Sequence, residues 1–141
     1  MPYREKVAWL SLAAILVTYG PYFTVIAMGI VPTRPFPDFH QLALFGATTF
    51  VQLVILGTGR LILAVSTPQE DRTPPDERDL AISRLSTVSA YNLLIGGMIL
   101  VGVIMPFTSR GWDIVHAALF AIIASEVIRF GVTVFNYRRQ A

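Results

Sequence analysis

The sequence predicts an all-α protein, a four-transmembrane-helix bundle of two helical hairpins with both termini in the cytoplasm. Hydrophobic residues make up 54% of the 141 residues and charged residues only 14%. Soluble domains carry about 25% charged residues. Four apolar runs each reach the ~20 residues that a helix needs to cross a bilayer. One long polar stretch separates these runs into two pairs, so we expect a single integral membrane domain over residues 1–141.

The first apolar run follows a short basic N-terminus and predicts a helix over residues 7–31. No charged residue occurs from Val7 to Val31. A cleaved signal peptide is the alternative, but its apolar region has roughly 7–15 residues, and this run is much longer. We therefore expect an uncleaved helix, which ends at the proline-rich turn Pro32–Asp38.

The second apolar run predicts a helix over residues 40–65. It carries Gln52 near its middle and Arg60 near its end. Because arginines close to helix ends extend along the helix toward water, the Arg60 side chain is expected to reach the interface beyond Val65.

The polar stretch Ser66–Asp79 contains three prolines and seven charged residues among its fourteen. Such a composition cannot form a buried helix or strand, so residues 66–79 are predicted to be a cytoplasmic linker. The third helix then covers residues 80–105. The end of the linker also suits a helix start, with Asp76 as the cap and Asp79 as an acid beside the positive helix terminus.

A short turn from Pro106 to Gly111 precedes the fourth predicted helix, residues 112–135. Aromatic residues gather near both ends of the apolar runs, as expected at the two membrane–water interfaces. One group is Phe36, Phe39, Phe107 and Trp112, and the other is Tyr3, Trp9 and Tyr137.

The distribution of basic residues predicts the orientation. Nine of the eleven Lys and Arg residues belong to one side of the bundle and two to the other, and basic residues favour the cytoplasmic side. The nine are Arg4, Lys6, Arg60, Arg72, Arg78, Arg84, Arg129, Arg138 and Arg139, and the two are Arg34 and Arg110. Both termini and the linker are therefore expected in the cytoplasm.

Glu126 is the most informative single residue, because it lies in the middle of the fourth apolar run. A charge at mid-membrane depth costs about 2.5–3.5 kcal/mol on insertion scales, so Glu126 should face the bundle interior, be paired or be protonated. The predicted intramembrane polar cluster is Glu126, Arg129, Arg60, Gln52, Asn92 and Tyr91. Either Glu126 is a carboxylate of a proton-coupled carrier, or it forms an ion pair with Arg129 or Arg60 that fixes helix register.

The remaining candidate residues are His40 and His116, at the outer ends of the second and fourth helices. Facing each other they could ligate a metal or haem, but two ligands are incomplete for zinc, so no metal and no cofactor is predicted. The chain has no cysteine and no phosphate-binding or hydrolase motif, so we do not expect an enzyme. The small net charge of +2 does not indicate nucleic-acid binding.

Two local patterns resemble known membrane families. The run Asp76-Glu77-Arg78-Asp79, followed by Ile82 and the third span, resembles small bacterial inner-membrane proteins of unknown function that place an Asp-Glu-Arg element before a membrane helix. That resemblance covers about residues 76–139 and implies a regulatory or stress-related role. The string from Ala121 to Ile128 is similar to the carboxylate-bearing first helix of small multidrug transporters, although here it lies in the last helix beside Arg129.

The sequence therefore favours a multi-pass inner-membrane protein that acts through helix–helix interaction. Its expected partners are the lipid bilayer and either a second copy or other membrane helices. Glycines would let helices approach closely at Gly57, Gly59, Gly96 and Gly97. A small proton-coupled transporter using Glu126 is the alternative. A soluble four-helix bundle is less consistent, because such long apolar runs would leave large exposed patches.

Overall fold

A computed structural model describes residues 2–32, 35, 37–69, 73–109 and 111–139. Within these residues the chain is all-helical and has no strand. The helices are α1 (Tyr3–Ala27), α2 (Phe39–Ser66), α3 (Glu77–Ile99), α4 (Met105–Thr108) and α5 (Trp112–Arg139), and a π-helical stretch, Leu100–Ile104, joins α3 to α4. Four helical segments are long and apolar enough to cross a membrane, which confirms the prediction of an all-α fold with four spans.

The first hairpin has its turn between α1 and α2. Helix α1 is followed by a turn in which Gly29 has a φ of 67°. Glycine adopts this left-handed conformation without steric cost. Helix α2 begins after Asp38, whose Oδ1 accepts hydrogen bonds from the backbone N–H of His40 (3.0 Å) and Gln41 (3.3 Å). Asp38 is buried, so this cap satisfies amide groups that have no other helical partner.

The second hairpin begins with the predicted cap at Asp76, which the structure confirms. The Asp76 side chain accepts a hydrogen bond from the Asp79 backbone N–H at 2.7 Å, and the Asp79 carboxylate accepts one in return from the Asp76 backbone N–H. The third span does not end at Pro106. Proline has no N–H for a helical bond, and the preceding π-helical stretch changes the register so that Pro106 falls in the first turn of α4.

The helix limits differ from the predicted ones by a few residues at most ends. Helix α1 covers 3–27 instead of 7–31, and α2 agrees with 40–65 to within one residue. The third span runs from 77 to 108 instead of 80–105, and α5 ends at 139 instead of 135. Charged residues at 4–6, 77–79 and 138–139 thus belong to helices that extend beyond the apolar runs, because helical hydrogen bonding does not stop where hydropathy changes.

The two hairpins pack through α1 and α5. Helix α3 makes its main contacts with α5, helix α2 with α1, and α1 with α5. The buried core of this arrangement is Ile15, Tyr19 and Tyr22 on α1, against which lie Leu44 and Phe45 of α2 and Ile123, Val127 and Phe130 of α5. Helix α2 therefore lies at the edge of the bundle, where only Gln41 and Gln52 are buried.

Candidate functional site

The most connected polar group in the described chain is Asp79, at the end of the bundle where α1 and α3 begin and α5 ends. Its Oδ2 lies 3.4 Å from Nε of Arg4, and its Oδ1 accepts a hydrogen bond from the Tyr137 hydroxyl. Arg78 donates from Nη2 to the Tyr137 carbonyl at 3.4 Å. Because Asp79 also belongs to the α3 cap, one carboxylate joins three helices.

A second polar contact at the same end joins α1 to α5. Arg138 Nε lies 3.9 Å from Oε1 of Glu5, and the Glu5 side chain is only 7% exposed. The Arg138 guanidinium carbon also lies 5.0 Å from the centre of the Trp9 ring, within the range of a cation–π contact. The start of α1 and the end of α5 therefore lie at the same end of the bundle, which we name the polar end.

A partly open cavity of about 420 Å³ extends into the polar end between α1, α3 and α5. Its polar lining includes Arg4, Asp79 and Arg129, together with the hydroxyl residues Ser83, Ser86 and Thr133. Apolar side chains, among them Val7, Ile82 and Phe130, form the rest of the wall. The cavity therefore combines charged groups, two cationic and one anionic, with an apolar surface.

Glu126 is paired with Arg129, one turn further along α5. Arg129 Nη1 lies 3.6 Å from Glu126 Oε2, and the two side chains are 47% and 39% exposed, respectively. This is the ion pair that the sequence offered as one of two interpretations of Glu126. The pair reduces the cost of a charge at mid-helix, because each residue supplies the counter-charge of the other.

The other predicted polar residues do not join Glu126 in one cluster. Gln52 is buried between α2 and α1, where the Thr18 hydroxyl donates to its Oε1 at 2.5 Å. Tyr91 is 61% exposed, and Asn92 and Arg60 are exposed as well. Among the described residues no hydrogen bond or ion pair links these four to Glu126.

Sequence reasoning missed the partners of Gln52 and its neighbours. Besides Thr18, the Tyr19 hydroxyl lies 3.0 Å from Oγ1 of Thr49, so two polar contacts connect α1 to α2 within the apolar region. Such interhelical hydrogen bonds in membranes are worth about 0.6 kcal/mol on average. The signal that could have found them is a pair of polar residues within each apolar run: Thr18 and Tyr19 on α1 are adjacent, and Thr49 and Gln52 lie one turn apart on α2.

The two predicted outer-end histidines have different surroundings. The His116 ring lies 5.7 Å from the Trp112 ring and 6.2 Å from the Tyr22 ring. His40 is exposed, and its backbone N–H donates to Asp38. No group of three or more His, Asp or Glu side chains suited to a metal ion occurs among the described residues.

Four residues that entered the predicted charge count and the predicted aromatic groups lie outside the described residues. They are Arg34, Arg72, Arg110 and Phe36.

The four predicted packing glycines divide into two kinds. A Cβ on Gly59 would lie 2.7 Å from the Leu10 side chain, and one on Gly97 would lie 2.8 Å from Ala121 Cβ. Gly59 and Gly97 therefore allow close packing within each hairpin. At Gly57 and Gly96 an added Cβ would meet no described atom within 4 Å, so these two glycines face outward.

Comparison with known proteins finds no matching family model, and no matching curated protein or solved structure. The functional interpretation of the chain therefore depends on the geometry of its own residues.

Proposed function

We propose that this chain is a small multi-pass protein of the bacterial inner membrane that acts by lateral helix–helix association, with a second copy of itself as the partner. The regulatory or stress-related role that the Asp76–Asp79 resemblance implies is part of this proposal. The proposal places the polar end in the cytoplasm, because nine of the eleven basic residues belong to that side.

The observation that carries this choice is the ion pair between Glu126 and Arg129. A proton-coupled carrier needs a carboxylate that exchanges protons in a water-filled cavity during transport. A carboxylate that is neutralised by an arginine on its own helix instead lowers the cost of inserting both charges. This arrangement supports a packing role for Glu126 over a transport role.

The surface that we assign to association is the outward face of α2, defined by Gly46, Phe50, Leu53, Gly57 and Leu61. Gly46 and Gly57 are separated by eleven residues, or three turns plus about 20°, so both lie on one side of the helix. A Cβ at either glycine would meet no described atom within 4 Å. The larger residues of this face are also exposed, and Phe50 is 67% exposed.

A second copy is the partner that we propose for this face, because two exposed apolar faces of the same kind would cover each other. In a two-fold dimer the same patch supplies both sides of the interface. Glycines on both helices let the backbones approach closely, which is the main source of packing energy between helices in lipid. Helix α2 is also the helix with the least burial among the four spans, so it has the most surface to offer.

Self-association is expected to weaken about tenfold when Gly57 is replaced by leucine, since the added side chain separates the two helices. The chain has no native cysteine, so Gln69→Cys provides one site for donor and acceptor dyes. Energy transfer is then measured in vesicles at several protein-to-lipid ratios. Gly20→Leu is the matched control, because Gly20 also faces open space but lies on α1. Equal energy transfer in the Gly57→Leu and Gly20→Leu variants would contradict the proposal. So would the absence of energy transfer in the labelled protein with neither glycine replaced.

The carboxylate of Glu126 is expected to keep its ion pair with Arg129 in the lipid-reconstituted protein. Infrared difference spectra measure this, and the Glu126→Gln variant identifies the carboxylate band. That band is expected to shift after Arg129→Ala, while Arg60→Ala is expected to leave the spectrum unchanged. If Arg129→Ala leaves the band unchanged and added cationic compounds shift it, the carrier function replaces the one proposed here.

A further inference from the structure

The cavity at the polar end has a depth that suits an elongated ligand. On α5 its lining extends from Tyr137 to Arg129, a separation of eight residues. At 1.5 Å per residue this corresponds to about 12 Å along the helix. The cavity thus begins where the helices end, at the depth of lipid headgroups, and continues beside the apolar part of the bundle.

The charges that line the cavity favour an anion. The charged residues of the described lining are Arg4, Arg129 and Asp79, so the lining has two positive charges and one negative charge. Arg129 uses Nη1 in its only ion pair with a described residue, at 3.6 Å, which is too long for a strong hydrogen bond. Arg4 uses Nε toward Asp79. The other guanidinium nitrogens of both arginines are therefore available to a ligand.

The rest of the lining favours an amphiphile. The Val7, Ile82 and Phe130 side chains provide an apolar wall, and Ser83 adds an exposed hydroxyl group. Arginine donors fit phosphate oxygens in a two-bond geometry. Basic pockets between membrane helices at the level of the headgroups suit anionic lipids, whose phosphate and acyl chains match the two kinds of wall.

We propose that this cavity binds an anionic phospholipid through two cationic ligands, Arg4 near the end of the helices and Arg129 deeper in the cavity, with the apolar wall beside the acyl chains. The site is separate from the outward face of α2. Loss of one activity would therefore leave the other intact.

The test measures lipid retention by the full chain in detergent, using native mass spectrometry with phosphatidylglycerol or phosphatidylcholine added. Removing Arg129 alone would leave Glu126 unpaired, so the comparison uses Glu126→Gln against the double variant Glu126→Gln/Arg129→Gln. Arg84→Gln is the control for net charge, because Arg84 is exposed near the same end of α3 but does not line the cavity. Arg4→Gln tests the second ligand.

Phosphatidylglycerol is expected to bind in preference to phosphatidylcholine, and the double variant is expected to bind it about tenfold more weakly than Glu126→Gln. Arg4→Gln is expected to weaken binding as well, while Arg84→Gln retains it. An equal loss in Arg84→Gln would show nonspecific attraction to surface charge and overturn the proposal. Millimolar inorganic phosphate is expected to compete poorly, because it lacks the acyl chains. If it displaces the lipid completely, the site is one for free phosphate and the lipid assignment is wrong.

Discussion

Replacing Gly97 by leucine is expected to destabilise the protein by about 2–3 kcal/mol, the upper part of the range for overpacking a close contact. A Cβ at this position would lie 2.8 Å from Ala121 Cβ. Ala121 is buried and has no flexible side chain that could move away, so α3 and α5 would have to separate. These two helices form the most extensive contact in the bundle, and their separation would expose the polar end as well.

Gly96→Leu is the matched control for this prediction. It introduces the same side chain one residue earlier, where no described atom lies within 4 Å of the new Cβ. Leucine also favours a helix over glycine, so this variant should be at least as stable as the original protein. The measurement is the unfolding midpoint in mixed detergent micelles. Equal midpoints for the two variants would show that α3 and α5 do not pack closely at Gly97.

Gly59 is the second glycine at which an added side chain would meet a neighbouring helix, so its tolerance to replacement can be compared with that of Gly97. The atoms nearest a Cβ at Gly59 are the terminal methyl carbons of Leu10, at 2.7 Å. A leucine side chain can rotate to another rotamer, whereas Ala121 Cβ is fixed to the backbone. Overpacking should therefore be better tolerated at Gly59 than at Gly97, although the two distances are almost equal.

The fold class could be predicted because it depends on averages over long segments. Each span needs about 20 apolar residues, and a few substitutions do not change that total. Helix limits were less accurate because they depend on local hydrogen bonding. The Asp76 cap was predictable from neighbouring residues, but the passage of the helix through Pro106 depended on a π-helical stretch that no residue type specifies.

The contacts between helices could not be predicted, because they depend on how each helix is rotated about its axis. The sequence groups Gln52 with Glu126 by depth alone. In the structure the Gln52 side chain lies on the face of α2 that packs on α1, where its partner is Thr18. Gly57 and Gly59 illustrate the same point, since two glycines in one short segment have different environments. A sequence gives the depth of a residue in the membrane far more directly than its direction.

The second large loss of stability is expected when Asp79 is replaced. Asp79→Ala removes the ion pair with Arg4, the hydrogen bond from Tyr137 and half of the α3 capping box. It also leaves the Tyr137 hydroxyl without its acceptor, and Tyr137 is only 4% exposed. A hydrogen bond to a charged group contributes about 1.5–3 kcal/mol and a cap about 1 kcal/mol, so the expected loss of unfolding free energy is about 3 kcal/mol.

Glu77→Ala and Tyr137→Phe separate the causes of that loss. Glu77 is an exposed acid in the same first turn of α3, so its replacement removes a similar interaction with the helix dipole and should have a small effect. Tyr137→Phe removes only the hydroxyl. If Asp79 and Tyr137 act as one unit, the double variant will lose less stability than the sum of the two single variants. Strict additivity would mean that the Tyr137 hydroxyl does not interact with Asp79, and the joining of α3 to α5 through this carboxylate would then be wrong.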